Sequence, residues 1–330
     1  MMEVVVTTGS RLHFGLICGG LDSGWQFGGI GLMLKTPGWH MSFRTCTIKD
    51  AIVSYQQETG IRIQEFLSFM RQSYELPPLF VKVSSVIPFH TGLGGGTQLG
   101  LAIASAAEII SGRASTHDPW KLARLAHRAE RSAIGTAGFR SGGFLVDRGQ
   151  TTDSSEANRV QRISVPETWR FLLIRPTSVQ GISGDRERQF FHQRVQMPTM
   201  LVTRLGQQID QQIIPAVVEG DFRTFAEKLE EYGDAVGSFY ASEQGDIFAH
   251  PVIRSLVRQL RSQGIVGAAQ SSWGPGICIP AESQGHAESI QQRIPTSMNG
   301  TALLTSISEP LNIGATVRFT APEGSERCFV

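Results

Sequence analysis

A glycine-rich segment is the part of this sequence best suited to do chemistry. It reads "TGLGGGTQ", with four glycines in five positions from Gly92 to Gly96, and an apolar run to Ile110 follows directly. Consecutive glycines let several backbone N–H groups point at one ligand, and a helix that begins there adds partial positive charge. Such a site suits phosphate. We therefore expect the following residues to bind a phosphate group: Gly92, Gly94, Gly95, Gly96, Thr97 and Gln98.

Two familiar phosphate-binding patterns do not match this loop. A Walker loop requires a lysine after its last glycine, where Thr97-Gln98 stands instead. A dinucleotide fingerprint requires an acidic residue about twenty positions later, and Asp118 is better explained as a helix cap. A flexible connection or tight helix packing would also explain the glycines. If phosphate binds, a Cβ at Gly95 is expected to intrude on the N–H groups.

A second glycine-bearing turn, "SSWGPG", begins at Ser271. Ser271 and Ser272 offer hydroxyl groups, and Gly274 allows the backbone to approach a ligand closely. Trp273 offers a flat apolar face that can stack on an aromatic ring. We expect all four residues at a ligand site, although a β-hairpin with a core tryptophan explains them equally well.

Arg11 and His13 lie two positions apart in "SRLHFGL". On a strand, side chains at this spacing share one face. An arginine and a histidine facing one way indicate an anion site or an acid/base site. A surface arginine beside a core histidine is the simpler alternative.

A basic segment lies between the two glycine turns and contains His127, Arg128, Arg131 and Arg140. On a continuous helix, Arg124, Arg128 and Arg131 would lie along one face. A solvated surface is the usual explanation of such a run, and phosphate binding is the functional alternative.

Composition bounds the class of protein. The chain has 330 residues, 41% hydrophobic and 18% charged, which is enough for two globular domains. A net charge of +1 gives no field for nucleic acid or membrane, so we expect small-molecule partners. The four cysteines form no metal-ligand spacing and, with no recognisable signal peptide, fit a cytoplasmic location. A homodimer is the default expectation.

The pattern of elements predicts α+β layers, because strands and helices mix without strict β-α-β alternation. A strand broken at Gly9-Ser10 opens the chain, and "GIVGAAQ" reads as a later strand. The expected helices span 97–110, 199–218, 221–240, 250–263 and 283–293, with another capped by Asp118 and Pro119. A polar stretch over 150–166 marks a boundary, which divides the chain into domains 1–165 and 166–330.

In their order along the chain, these segments resemble the GHMP superfamily of small-molecule kinases. Pro88 and "TGLGGGTQ" match its nucleotide-phosphate loop, and "SSWGPG" matches its C-terminal glycine motif. The resemblance implies an N-terminal domain like ribosomal protein S5 domain 2 and ferredoxin-like αβ layers in the C-terminal domain. The kinases usually carry an aspartate that activates the acceptor hydroxyl. Gly135 occupies that position here and cannot accept a proton.

A narrower resemblance covers six blocks: "SRLHFGLI", "GGIGLML", "GLGGGTQ", "RSAIGTAGFRSGGFLVDRG", "GISGDRERQFF" and "SSWGP". They look like the β-ribofuranosylaminobenzene 5′-phosphate synthase family, which shares the GHMP fold but does not phosphorylate. Its members condense phosphoribosyl diphosphate with a para-substituted benzoate and release CO2 and diphosphate, on the route to tetrahydromethanopterin. Cys18 and Arg140 depart from this pattern, where the family often has Asp and Glu.

This resemblance implies a role for each candidate residue. The loop from Gly92 to Gln98 would take the diphosphate, and Trp273 would stack on the benzoate ring. Arg11 and His13 would hold the benzoate or steady the diphosphate. The candidates for the 5′-phosphate are Arg128, Arg131 and Arg186. Mg²⁺ is the expected cofactor, with Glu187 and Asp22 as candidate ligands. An ATP-dependent GHMP kinase with a displaced base and a non-catalytic phosphate-binding regulator are the alternative functions.

Overall fold

A computed structural model describes residues 2–20, 25–54, 56–113, 118–128, 131–150, 159–177, 196–320 and 326–329. Three of the candidate residues, Asp22, Arg186 and Glu187, lie outside these ranges. The described strands and helices form two sheets with helices packed against them, so the predicted α+β organisation is confirmed.

The described elements are numbered in chain order. The strands are β1 (Glu3–Cys18), β2 (Gln26–Thr45), β3 (Ala51–Val53), β4 (Leu79–Ser85), β5 (Phe144–Asp147), β6 (Val160–Ile163), β7 (Arg170–Pro176), β8 (Ala269–Gln270), β9 (Ile277–Ala281), β10 (Ser297–Met298), β11 (Thr301–Ser308), β12 (Thr316–Thr320) and β13 (Glu326–Phe329). The helices are α1 (Gln57–Ser73), α2 (Gly95–Ile110), α3 (Pro119–Leu125), α4 (Ile134–Ser141), α5 (Thr199–Gln208), α6 (Ile214–Glu219), α7 (Phe222–Phe239), α8 (Ala241–Gln244), α9 (Pro251–Ser262) and α10 (Gln284–Gln291). A π-helical turn, Ile209–Ile213, joins α5 to α6.

The first sheet is built around the long antiparallel pair β1–β2 and has the order β13-β12-β1-β2-β4-β3, with β5 on β2 and β6 on β5. The predicted break at Gly9-Ser10 is wrong: β1 runs through it, and only the pairing register with β2 shifts there. Strands β12 and β13 pair beside β1, so the end of the chain completes the sheet that its beginning starts.

The second sheet has the order β10-β11-β7-β9-β8. Helices α9 and α10 cover it, with Leu256 and Ile290 among the side chains buried against β7 and β9. The predicted boundary at 165/166 falls between β6 and β7, where the chain passes from the first sheet to the second. The division into two domains itself stays a prediction. The strand predicted over "GIVGAAQ" shrinks to Ala269–Gln270.

Helix α2 is buried along almost its whole length against the first sheet, because its side chains are apolar or small. Its one charged residue, Glu108, is fully buried and paired with Lys121 at 2.6 Å. Helix α1 was not predicted, although Ile63, Phe66, Leu67 and Met70 form a buried stripe at helical spacing. Among the helices that the structure describes, none is long and apolar enough to cross a membrane.

Candidate active site

A cavity of about 730 Å³ opens at the start of α2, between β1, α1, α7 and the turn that follows β8. Four arginines line it: Arg11, Arg62, Arg128 and Arg131. Within the described part of its wall, Glu65 is the one carboxylate. A chain with a net charge of only +1 therefore concentrates positive charge in this cavity, which suits an anionic ligand.

The start of α2 faces the cavity without a side-chain cap. Gly94 occupies the N-cap position in a left-handed conformation with φ of 70°, which glycine adopts without steric cost. Glycine has no side chain with which to cap this end, and no acidic residue lies in the first turn. Because Gly94, Gly95, Gly96 and Thr97 all border the cavity, a bound anion would satisfy the helix start.

Two arginines flank this helix start. A Cβ added at Gly94 would lie 3.3 Å from Nε of Arg11, and one added at Gly96 would lie 3.4 Å from Nη2 of Arg128. The Arg128 guanidinium also lies over the ring of Phe66, 5.3 Å from its centroid. The helix terminus and two guanidinium groups thus converge on one small volume, as a multiply charged phosphate ligand requires.

The expectation that Arg124, Arg128 and Arg131 share one helical face is wrong. Helix α3 begins at Pro119 with Asp118 as its cap, as predicted, but it ends at Leu125. The chain then turns, with a positive φ at His127. As a result Arg128 and Arg131 line the cavity while Arg124 stays exposed.

Two residues of the predicted phosphate loop have another task. Gln98 is fully buried; its Oε1 accepts from Thr8 at 2.6 Å and its Nε2 donates to the Gly135 carbonyl at 2.8 Å. Its amide ties β1, α2 and α4 together instead of pointing at a ligand. A Cβ at Gly95 would meet Ile87 at 3.2 Å, so the expected intrusion on a ligand applies to Gly96 and not to Gly95.

The second glycine turn, which begins at Ser271, contacts the glycine loop that begins at Gly92 and holds it in place. Ser271 is buried: its Oγ donates to the Gly92 carbonyl at 2.7 Å and accepts from the His13 N–H at 3.0 Å. Ser272 donates its N–H to the His13 carbonyl at 2.7 Å and borders the cavity. Gly274 packs against Gly92. Ser271 and Gly274 therefore position the phosphate loop, and Ser272 remains beside the ligand volume.

Trp273 is a packed, largely buried residue that also forms part of the cavity wall, and its stacking on a ligand stays a prediction. It is 8% exposed and packs edge-on against Tyr240 with 5.0 Å between ring centroids, and both rings border the cavity. The Tyr240 hydroxyl donates to the Leu16 carbonyl at 3.0 Å. Burial raises the pKa of Tyr240 well above its ordinary value, which keeps the phenol neutral. With Val236, these rings give the cavity an apolar surface, next to the polar side chains of Gln244 and Gln270.

Arg11 and His13 both line the cavity, so the predicted shared face is confirmed. His13 is 2% exposed; its Nδ1 accepts from the Gly15 N–H at 3.2 Å, and its Nε2 lies 2.9 Å from Oγ of Ser132. Burial, and then the charge of Arg11, lower the pKa of His13 well below its ordinary value. The imidazole is therefore neutral near neutral pH.

Gly135 lies beside the start of α2 and Arg11. A Cβ there would be 3.1 Å from Cγ2 of Thr97 and 3.8 Å from Nε of Arg11. The adjacent segment is held by Asp147, which is fully buried, pairs with Arg159 at 2.6 Å and accepts from the Ala133 N–H at 2.7 Å. This network fixes the entry to α4.

Some cavity residues had no sequence signal. Arg62 of α1 lies over the ring of Phe89 at 4.7 Å and hydrogen-bonds with His90 at 3.1 Å. Ser132 directly follows the predicted residue Arg131, but its hydrogen-bond partner His13 lies on β1, far away in sequence. Only the tertiary structure brings these side chains to the glycine loop.

Two segments of this chain match models of known protein families. Residues 61–144 match the GHMP kinases N terminal domain, and residues 213–300 match GHMP kinases C terminal. A beta-ribofuranosylphenol 5'-phosphate synthase of Methanothermobacter thermautotrophicus is 28% identical over 297 residues, 84% of this chain and 88% of that protein. The protein of the same name from Archaeoglobus fulgidus is 29% identical over 235 residues, 68% of this chain and 73% of that one.

Solved structures share the whole fold at low identity. Homoserine kinase from Cytophaga hutchinsonii superposes with a TM-score of 0.63 and 15% identity, covering 96% of this chain and 97% of that one. Mevalonate diphosphate decarboxylase from Staphylococcus aureus gives 0.62 and 13%, covering 96% and 98%. These two likenesses concern the fold alone, and together with the two matching segments they confirm the expected GHMP-type fold.

Proposed function

Because the chain belongs to the GHMP kinase superfamily and is an enzyme related to the beta-ribofuranosylphenol 5'-phosphate synthases, we propose that it is a decarboxylating phosphoribosyltransferase. It condenses phosphoribosyl diphosphate with 4-hydroxybenzoate or 4-aminobenzoate and releases CO2 and diphosphate. The relatives are named for a phenol product, which favours the hydroxy acid. The product is a ribofuranosyl-arene 5′-phosphate, an intermediate for tetrahydromethanopterin.

The observation that carries this proposal is the uncapped start of α2 between Arg11 and Arg128. When the C1–oxygen bond of phosphoribosyl diphosphate breaks, its electron pair leaves with the diphosphate. Donors that are already oriented stabilise this developing charge without reorganising. Loss of one such donor in an enzyme site costs on the order of 3 kcal/mol of transition-state stabilisation.

The sequence of contacts along β1 supports an order for the two substrates in the cavity. Arg11 and His13 share one face of the strand, and an irregularity after His13 brings Gly15 to the cavity as well. Arg11 stands at the start of α2, His13 beside Ser132, and Gly15 against Val236. The diphosphate therefore belongs near Arg11 and the aromatic ring near Val236, Tyr240 and Trp273. Arg131 is the remaining described candidate for the 5′-phosphate.

The chemistry between these ends needs no strong base. The ring carbon that carries the carboxylate attacks C1 of the ribose while diphosphate departs. The bond from that ring carbon to the carboxyl group then breaks, its electron pair restores the aromatic ring, and CO2 leaves. The protein contributes mainly by holding the ring and C1 in line, because correct positioning alone removes much of such a barrier.

Mg²⁺ remains part of the proposal through the family resemblance. In the described part of the chain, no group of three or more His, Cys, Asp or Glu side chains is placed to hold a metal. Glu65 alone does not fit a protein-held cation, so no step above uses one. A cation that arrives with the diphosphate oxygens is the form compatible with these residues, and Asp22 and Glu187 lie outside them.

A kinase is less well supported by the same geometry. ATP binding would suit the phosphate-binding groups, but Gly135 offers no carboxylate beside Thr97 and Arg11. Within the described wall, only Glu65 is a carboxylate, on α1.

The proposal also includes a cytoplasmic location and a homodimeric state. Light scattering of the purified protein measures the oligomeric state.

The test uses the purified protein with phosphoribosyl diphosphate and 4-hydroxybenzoate labelled in its carboxyl group. We expect labelled CO2 in equal amount to a C-riboside identified by mass, and none when the sugar donor is omitted. The same measurement is made in parallel with carboxyl-labelled 4-aminobenzoate. Phosphorylation that depends on ATP, with no CO2, would replace this proposal by a kinase. Ligand binding without either reaction would indicate a regulator.

A further inference from the structure

The hydroxyl of Ser132 is held by two donors at the edge of the cavity. Its Oγ lies 2.9 Å from Nε2 of His13 and accepts from the Ile134 N–H at 3.3 Å. Since Nδ1 of His13 accepts from the Gly15 N–H, the proton of the neutral ring is on Nε2. His13 therefore donates to Ser132.

This arrangement leaves the serine proton for a ligand. A hydroxyl oxygen accepts two hydrogen bonds and donates one. Both acceptor positions of Ser132 are occupied, by His13 and Ile134, and no residue among those described accepts its proton. Because Ser132 borders the cavity, its O–H is preset to meet an oxygen atom of a bound substrate.

We propose that Ser132 donates to the carboxylate of the aromatic acid substrate, and that His13 is the positioning residue that orients it. This inference rests on the proposed function and assigns a contact for its acceptor. The carboxylate is favoured over a phosphate because the pair of Ser132 and His13 carries no positive charge. Both residues line the same cavity as Tyr240 and Trp273, and the His13 carbonyl accepts from the N–H of Ser272, directly before Trp273.

The neutral character of the pair matters for the reaction. The carboxylate is charged when it binds and leaves as uncharged CO2. A guanidinium in contact with it would stabilise the bound acid more than the transition state, which slows the reaction. A serine hydroxyl backed by a neutral imidazole holds the carboxylate more weakly, and the hydrogen bond simply breaks as CO2 departs. Ser132 transfers no proton.

The test compares Ser132→Ala with Ser132→Thr, which keeps a hydroxyl, by titration calorimetry. We expect Ser132→Ala to raise the dissociation constant of 4-hydroxybenzoate about ten- to a hundredfold, the effect of losing one hydrogen bond to a charged group. Binding of phenol, which lacks the carboxylate, and of phosphoribosyl diphosphate should not change. Ser132→Thr should retain most of the affinity for the acid.

The role of His13 is tested by rescue. His13→Ala should weaken 4-hydroxybenzoate as Ser132→Ala does, with no added loss in the double variant. His13→Gln, which keeps an N–H near the position of Nε2, should restore part of the affinity. Equal loss for phenol, or loss confined to phosphoribosyl diphosphate, overturns the inference. So does a wild-type protein that does not bind the acid. If the wild type binds both substrates and releases no CO2, the proposed function fails while the carboxylate contact is still decided by the titrations.

Discussion

Gly274 packs directly against Gly92: a Cβ at position 274 would lie 2.6 Å from the Gly92 amide nitrogen and 2.6 Å from the Thr91 carbonyl oxygen. The residues are far apart in sequence, yet the second glycine turn fixes the path of the phosphate loop. The shape of the anion site therefore depends on the C-terminal half of the chain.

Gly274→Ala should displace this loop. We expect a loss of about 1–3 kcal/mol in the free energy of unfolding, as for overpacking of a close contact, and at least about tenfold weaker binding of phosphoribosyl diphosphate. Urea denaturation and calorimetry measure the two effects. Gly285→Ala is the matched control, because a Cβ there meets nothing within 4 Å. Unchanged donor affinity in Gly274→Ala would show that the contact does not shape the site.

Arg128→Gln should weaken phosphoribosyl diphosphate about tenfold to a hundredfold, because it removes a charge-assisted hydrogen bond beside Gly96. The dependence of the dissociation constant on salt should also become shallower. Arg124→Gln tests the same change on an exposed side chain of the same segment and should bind normally. Similar losses in both variants would point to general electrostatics instead of a defined site.

Gly135→Asp and Gly135→Asn separate charge from shape. Both side chains would crowd Thr97, whose Cγ2 lies 3.1 Å from the added Cβ, but only aspartate places a negative charge near Arg11. We expect the Asp variant to bind phosphoribosyl diphosphate at least about tenfold more weakly than the Asn variant, because the carboxylate competes for Arg11. Equal affinities would place the diphosphate away from this arginine.

Trp273→Phe should keep the fold and weaken the aromatic acid several-fold more than the sugar donor. Trp273→Ala should in addition cost about 3–5 kcal/mol in the free energy of unfolding, since the tryptophan is also packed against Tyr240. Chemical denaturation and separate titrations of the two substrates distinguish these effects. If both substrates weaken equally in the Phe variant, Trp273 acts only as a core residue.

The pH dependence of stability should reveal the buried His13. Its pKa in the folded protein is well below the value of about 6.5 in an unfolded chain. Below about pH 6.5 the unfolded state binds a proton that the folded state refuses, so the free energy of unfolding falls as pH falls, by at most about 1.4 kcal/mol per pH unit. Above that pH the imidazole is neutral in both the folded and the unfolded state, so His13 no longer makes the free energy of unfolding depend on pH. His13→Gln should have a shallower acid limb in urea denaturation; an identical limb would contradict a neutral buried imidazole.

The local features of the site were available from the sequence. A glycine cluster between a strand and an apolar run predicts an anion site at a helix start, and α2 begins at Gly95. The two-residue spacing of Arg11 and His13 predicts one shared face. Asp118 and Pro119 predict the start of α3. The helix start, the shared face and the helix cap are confirmed because they depend on backbone geometry over a few residues, and the anion at that helix start stays a prediction.

The partners of each side chain were decided only by the tertiary structure. Gln98 turns to Thr8 and Gly135 and not to the cavity, because α2 is packed against β1 and α4. Arg128 borders the cavity because α3 ends at Leu125. Ser132 has a hydrogen-bond partner in His13 because β1 packs beside the segment that contains the serine. Periodicity in a sequence sets which residues share a face of one element. Which distant element that face meets depends on how sheets and helices pack, and no local pattern contains that information.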